Sequence, residues 1–343
     1  MKQAAKFAAG GILAVALLAW VLADVDRDAL LRALATASFA GVVVGGALNF
    51  AHNVPRVWRW RHLLAPVRTP IPFRPMFAAV ILGYMTTWLV PGRVGEVVRP
   101  LLLAGREKLP LGPCLGSVVA DRLLDGAAIV VLFGAALPFV AFEGAAAAHA
   151  DAIRATAVVA VAAAVVLLAS LVGASAASGS LSRWLEGRPR PVRWFGNAAL
   201  AVAKGSEALR RPGLLLPVVA QSLLAWILIG AGTWIAIRAS GAAVPFPSVF
   251  VMMPLLALGV AVPTPGGAGG YHAAMAWGLE RLFGVPLEVA VGAGILMHLA
   301  IVVPVLVVGP VILRTEKVSW HDLVSAARQV RGLGAPAPAE GTP

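Results

Sequence analysis

Arg93, Glu96 and Arg99 follow a Pro91-Gly92 break in the otherwise apolar stretch L-V-P-G-R-V-G-E-V-V-R. On a helix their spacing of three sets all three on neighbouring positions of one face. A second group, Asp121, Arg122 and Asp125, lies in V-A-D-R-L-L-D within a long apolar run. Asp121 and Asp125 stand at i and i+4, so they repel unless Arg122, another cation or protonation compensates. The third group is mostly backbone: P-T-P-G-G-A-G-G-Y-H carries Pro265, Gly266, Gly267, Gly269 and His272. The chemistry on offer is electrostatic. Guanidinium groups make bidentate contacts with phosphate, Glu96 can hold one of them or meet a cationic headgroup, and glycine-rich turns at half-helix N-termini supply free N–H donors. No paired-histidine metal motif and no nucleophile elbow accompany them, so neither a metal nor a cofactor is expected.

Each group has a plainer reading. The second could be an internal ion pair without a ligand, and the glycines could serve close helix packing. His272 suits a structural hydrogen bond as well as a titrating switch, and His298, isolated in the last span, suits packing. Asn49, His52, Asn53 and Arg56 recur at i, i+3, i+4 and i+7, so one stripe of the preceding helix is polar; it either lines a site or joins helices by hydrogen bonds.

The elements that must position these residues are membrane helices. Residues are 59% hydrophobic and 13% charged, against about a quarter charged in soluble domains, and mean hydropathy is +0.86. The net charge of +12 reads as positive-inside loops facing anionic lipid. Nucleic acid is excluded as a partner because the cations sit in separate loops. The single cysteine, Cys114, excludes an internal disulfide and leaves the redox compartment open.

Lys2 and Lys6 before an apolar run over 7–23, with Asp24, Asp26 and Asp28 after it, predict a retained first span with the N-terminus inside. Residues 25–38 form a short amphipathic link. A second span from 39 ends in R-V-W-R-W-R, where Arg56, Arg59 and Arg61 mark a cytoplasmic loop and Trp58 and Trp60 fit the interfacial belt. Residues 75–90 are fewer than the ~20 a crossing helix needs. With the basic run after Pro91-Gly92, they predict a re-entrant hairpin. Long apolar segments follow at 111–142 and 153–174. The basic loop from Arg183 to Arg211, with Trp184, Leu185, Trp194 and Phe195, suits either interfacial helices or a solvated positive-inside face. Crossings at 212–237 and 285–313 flank a second short run at 246–262 with a weak returning helix at 273–283. Arg314 and Lys317 place the C-terminus inside.

Shifting the first half by 174 residues lays Pro91-Gly92-x-x-Gly95 on Pro265-Gly266-x-x-Gly269 and matches the order of long, short, broken and long segments. The copies start from opposite sides, which predicts an inverted repeat (about 38–142 and 212–313). Paired broken segments point to a midplane site. The expected fold is all-α and polytopic, about six full spans plus two re-entrant helical hairpins in one domain over 1–331, with a disordered tail at 332–343.

The blocks L-V-P-G-R-V-G-E-V-V-R, V-A-D-R-L-L-D and P-T-P-G-G-A-G-G, in that order, resemble the signature blocks of the lysylphosphatidylglycerol synthase transmembrane-region family. Thr87 stands where the first block often has Asn, and His272 where the third often has Glu. The resemblance covers nearly the whole chain and implies a flippase-like domain that moves lipid between leaflets, here in a stand-alone form without the soluble aminoacyl-transfer domain. By motif, Arg93, Glu96, Arg99, Asp121, Arg122, Asp125, Pro265, Gly266, Gly267 and Gly269 fall on its blocks. The expected function is leaflet exchange of an anionic or aminoacylated phospholipid, or a polyprenyl-phosphate-type lipid, in the cell membrane. The expected partners are that lipid's anionic headgroup and either a second copy of the chain or a separate lipid-modifying enzyme. Secondary transport of a small solute is the alternative reading. A lipid-modifying enzyme using Glu96, Asp121 and His272 as acid or base ranks below both.

Overall fold

A computed structural model describes residues 2–90, 94–321, 323 and 325. Among them every regular element is helical. The first half holds α1 (Lys2–Leu22), α2 (Arg27–Thr36), α3 (Phe39–Ala51), α4 (Asn53–Leu64), α5 (Phe73–Leu89), α6 (Gly95–Glu107) and α7 (Leu111–Ala136). After α8 (Gly144–Ala147) come α9 (Ala150–Ala176), α10 (Ser178–Leu185), α11 (Arg190–Gly205), α12 (Pro212–Ala239), α13 (Phe246–Ala261), α14 (Gly270–Phe283) and α15 (Leu287–Thr315).

Four helical stretches are long and apolar enough to cross a bilayer: Leu111–Phe139, Ala150–Ala176, Pro212–Ala239 and Leu287–Thr315. α1 and α2 qualify together as a fifth, though they meet at 94°. The protein is an all-α, multi-pass membrane protein. The second segment, expected as one span from 39, consists of two helices, α3 and α4, that break at His52. Pro55 has no N–H to give the Ala51 carbonyl, so the ladder fails at His52. Polar side chains engage the carbonyls around the break: Asn53 Nδ2 donates to the Phe50 carbonyl at 2.7 Å, and His52 Nδ1 contacts that of Asn49.

Two short-armed hairpins sit between the long helices. α5 packs along α6, and α13 along α14. With 17, 13, 16 and 14 residues, each arm is shorter than the ~20 residues of a full crossing. Glycines let the arms touch. A Cβ on Gly95 would lie 1.8 Å from the Gly83 carbonyl oxygen, and one on Gly270 2.3 Å from that of Gly259. Packing is reciprocal around them: α5 lies on α15 and α13 on α7, α4 lies on α5 and α12 on α13, α6 lies on α7 and α14 on α15. The end of α5 also meets the turn of the second hairpin, since α5 packs on Pro265–Gly267 and Gly266 lies against Trp88.

The basic segment folds as α10 and α11. Trp184 and Phe195 are exposed while Leu185 is buried. α11 is pressed against α7, where a Cβ on Gly116 would lie 1.8 Å from the Ala201 carbonyl oxygen. The expected tail at 332–343 lies outside the described residues.

Candidate functional site: a buried arginine and aspartate network

Ser117, Asp121 and Asp125 line one face of α7 at successive i+4 positions and are all buried. α4 packs against that face and brings Arg56 and Arg59, themselves i and i+3. Arg59 donates through Nε to Asp121 and through Nη2 to Asp125, both at 2.8 Å. Arg56 Nη1 donates to Asp125 at 2.8 Å, and Arg99 Nη2, from α6, to Asp121 at 2.9 Å. Arg122 reaches Asp121 at 3.2 Å and Asp125 at 3.1 Å. The i, i+4 repulsion is therefore compensated by four guanidinium groups drawn from three helices. From α12, Ser222 accepts from Arg59 and Trp226 donates to Asp125, both at 3.1 Å. Trp60 donates to Ser117 at 2.9 Å, and the Arg99 guanidinium stacks over its ring at 4.5 Å.

Among the described residues, Arg56, Arg59, Arg99 and Arg122 stand against Asp121, Asp125 and Glu96, a surplus of one positive charge. Arg59 and Asp121 are 0% exposed. The network opens at one edge, where the Arg122 and Glu96 side chains are 35% and 27% exposed and lie 3.4 Å apart. Arg56 Nε and Arg99 Nε are buried donors without a hydrogen-bond partner. Unmatched buried positive charge is costly unless an anion or water meets it. At the open edge the accessible guanidinium is that of Arg122, whose donors suit a phosphate oxygen.

A second cluster forms where the end of α5 meets the turn of the second hairpin. Gly266, Gly267 and Gly269 have φ of +59°, +65° and +84°, a backbone that side chains other than glycine's adopt under strain. Close packing accounts for Gly270 and bears on Gly269, where a Cβ would lie 2.9 Å from the Ala14 carbonyl oxygen, but it does not account for Gly266 and Gly267. His272 Nδ1 accepts from the Gly269 N–H at 3.4 Å and fastens the turn to the start of α14. The His272 and His298 rings lie 4.8 Å apart, with Trp88 edge-on to His298 at 5.6 Å. Trp88 and Tyr84 are i and i+4 on α5. Tyr84 lies under Arg56 at 5.9 Å, so one helix face links the two clusters.

The fold brings Glu96, Arg99, Asp121, Arg122 and Asp125 together, and separately Pro265, Gly266, Gly267, Gly269 and His272. Arg93 lies outside the described residues. Asn53 and His52 turn toward their own backbone at the α3–α4 break, and Asn49 is buried beside them, where Gly232 of α12 presses on its backbone. Two expectations are corrected. Arg56 and Arg59 are not loop cations but the main partners of the α7 carboxylates, and Trp60 is fully buried rather than interfacial. The available signal was the i, i+3 spacing of Arg56 and Arg59, set against two intramembrane carboxylates for which Arg122 alone was insufficient.

No curated protein matches the chain. The family model described as lysylphosphatidylglycerol synthase TM region matches residues 7–309, a range that takes in both hairpins and the whole α4–α6–α7 network, and the chain belongs to that family.

Proposed function

We propose that this protein moves an anionic or aminoacylated phospholipid, or a polyprenyl-phosphate-type lipid, between the leaflets of the cell membrane, with both termini cytoplasmic. The carrying observation is a buried network with one surplus guanidinium charge that opens at the Arg122–Glu96 edge. A phosphate crossing hydrocarbon needs cations and free N–H donors, while its tails can stay in lipid. Arg122 supplies the accessible cation, with the buried Arg56, Arg59 and Arg99 behind it, and Glu96 is placed to meet an amine on an aminoacylated headgroup. The reciprocal packing of α5–α7 and α13–α15 supports two inverted copies with a re-entrant hairpin each. The contact of the α5 end with the Pro265–Gly267 turn supports a midplane site. Transport is favoured over catalysis because Asp121 and Asp125 are each engaged by several guanidinium groups, the reverse of a carboxylate free to exchange protons.

The test is leaflet exchange of fluorescent phosphatidylglycerol in proteoliposomes. Wild-type protein accelerates exchange, and Glu96→Ala with Arg122→Gln abolishes it while the purified protein stays monodisperse. Exchange at the protein-free rate, or exchange untouched by the double substitution, would sink the reading.

A further inference from the structure

A groove of about 620 Å³ runs between α3 and α15, and none of the charged residues of the network lines it. Phe39, Val43, Ala47 and Phe50 form one wall, Leu299 and Val303 face them, and Leu34 of α2 stands at one end. Its floor is the contact of Gly46 with Ala300, where a Cβ on Gly46 would lie 3.1 Å from the Ala300 carbonyl oxygen. Every lining side chain is apolar, so water entering would find no polar side-chain partner. The occupant must be hydrocarbon.

The dimensions select which hydrocarbon. From Phe39 to Phe50 the groove follows α3 for about 17 Å at 1.5 Å per residue, close to the ~15 Å of one leaflet's hydrocarbon. Phe39, Val43, Leu299 and Val303 are all exposed, so the groove is open to the surrounding bilayer along its length. An acyl chain of that bilayer's lipid matches it in length and chemistry. The groove also leads to the network. Phe50 lines it, packs on Phe77 at 6.5 Å and shares an apolar cluster with Tyr84, which lies under Arg56.

We infer that the α3–α15 groove seats one acyl chain of the lipid whose phosphate engages Arg122 at the open Arg122–Glu96 edge. This rests on the lipid-exchange reading above and adds to it a fixed seat for the tail. The seat does not arise from the hydrophobic effect, because bilayer and groove are equally apolar. It arises from contact with walls that an empty groove would leave unpartnered.

The experiment uses the full chain in proteoliposomes containing phosphatidylglycerol with a chain-end diazirine, and maps adducts after illumination. Wild-type protein is expected to carry saturable adducts at Leu296 and Ala300 in the groove, alongside non-saturable ones at Val158 and Val166 on the lipid-facing side of α9. Ala47→Phe, at an exposed position, fills the groove. It should cut groove adducts about tenfold, the factor that ~1.4 kcal/mol of lost contact gives, and leave the α9 adducts unchanged as evidence of intact folding. Arg122→Gln should lower groove adducts as well, because head and tail belong to one molecule. Groove adducts that do not saturate, or that persist in Ala47→Phe, overturn the seat. Adducts equally strong with a diazirine phosphatidylcholine and unaffected by Arg122→Gln mean that the chain is a bystander, which overturns its link to the phosphate. Saturable groove labelling without leaflet exchange would retain the seat and reject the transport reading.

Discussion

Arg99 on α6 and Asp121 on α7 meet at 2.9 Å with both side chains withdrawn from solvent, which ties the returning arm of the first hairpin to a membrane-crossing helix. Asp121 also accepts from Arg59 and Arg122. Its removal leaves several guanidinium groups under-compensated at once. Asp121→Asn is therefore expected to destabilise the protein by about 3–5 kcal/mol, the usual cost of breaking a buried pair by deleting one partner. Thermal unfolding in detergent measures this, with Asp151→Asn as control. Asp151 is 99% exposed and pairs with a half-exposed Arg154, so its loss should leave the unfolding temperature unchanged. Equal behaviour of the two variants would remove the network from the account of stability.

Arg122 separates stability from function. Its side chain is 35% exposed, and the carboxylates keep Arg56, Arg59 and Arg99 when it is lost. Arg122→Gln should cost no more than about 1 kcal/mol of stability while lowering exchange of phosphatidylglycerol at least tenfold. Arg99→Lys is expected to do the opposite: lysine lacks the planar fork and stacks less well on Trp60, so unfolding temperature falls with or before exchange. Measuring unfolding and exchange on the same preparations decides between the two roles.

Much of this site was legible in the sequence because charge inside an apolar run is costly and therefore conspicuous. Asp121, Arg122 and Asp125 announced themselves on those grounds, and the Pro-Gly breaks did so for both hairpins. Arg56 and Arg59 did not, because R-V-W-R-W-R has the composition of a membrane border, and its partners Asp121 and Asp125 lie 62 or more residues away. Spacing along one helix reveals a face but not what another helix brings to it. The break at His52 was concealed for a related reason: Asn49, His52 and Asn53 read as a stripe that lines a site or joins helices, whereas His52 and Asn53 turn to the Asn49 and Phe50 carbonyls of α3 beside the break. The glycine turn was legible as a break but not as a left-handed backbone, which depends on the path of the chain.

Glycine positions make a sharp packing prediction. Gly95→Ala places a methyl group against the Gly83 carbonyl, whereas Gly105→Ala, on the same helix, meets nothing within 4 Å. The first should destabilise by about 1–3 kcal/mol or more through overpacking. The second should stabilise slightly, since alanine is the better helix former. Unfolding temperatures moving in the same direction would mean that the hairpin arms do not touch there.

His272 is expected to act as an acceptor. Its Nδ1 takes the Gly269 N–H in a nearly solvent-free turn. His272→Leu leaves that donor unsatisfied, at about 1–3 kcal/mol. Gln offers a side-chain oxygen from the same helical position, as in a capping box, so His272→Gln should recover most of the loss. Comparable unfolding temperatures for Leu and Gln would assign His272 to its ring contact with His298 instead.

The inverted arrangement is decided by which side each hairpin enters from. Cys114 is the sole cysteine and fully buried, so Cys114→Ser supplies a background for single-cysteine labelling. Val94 precedes α6 at the first tip, and Ala268 follows the Pro265–Gly267 turn at the second. If α5–α6 and α13–α14 are re-entrant from opposite faces, an impermeant maleimide in sealed vesicles should reach the Val94→Cys variant from one side only and the Ala268→Cys variant from the other. Reaction should be slower than for a loop cysteine, because re-entrant tips would lie at depth in a restricted cavity. Labelling of both positions from the same side would leave the reciprocal packing of α5 on α15 and α13 on α7 without a symmetry to explain it, and would move the site from the midplane to one membrane face.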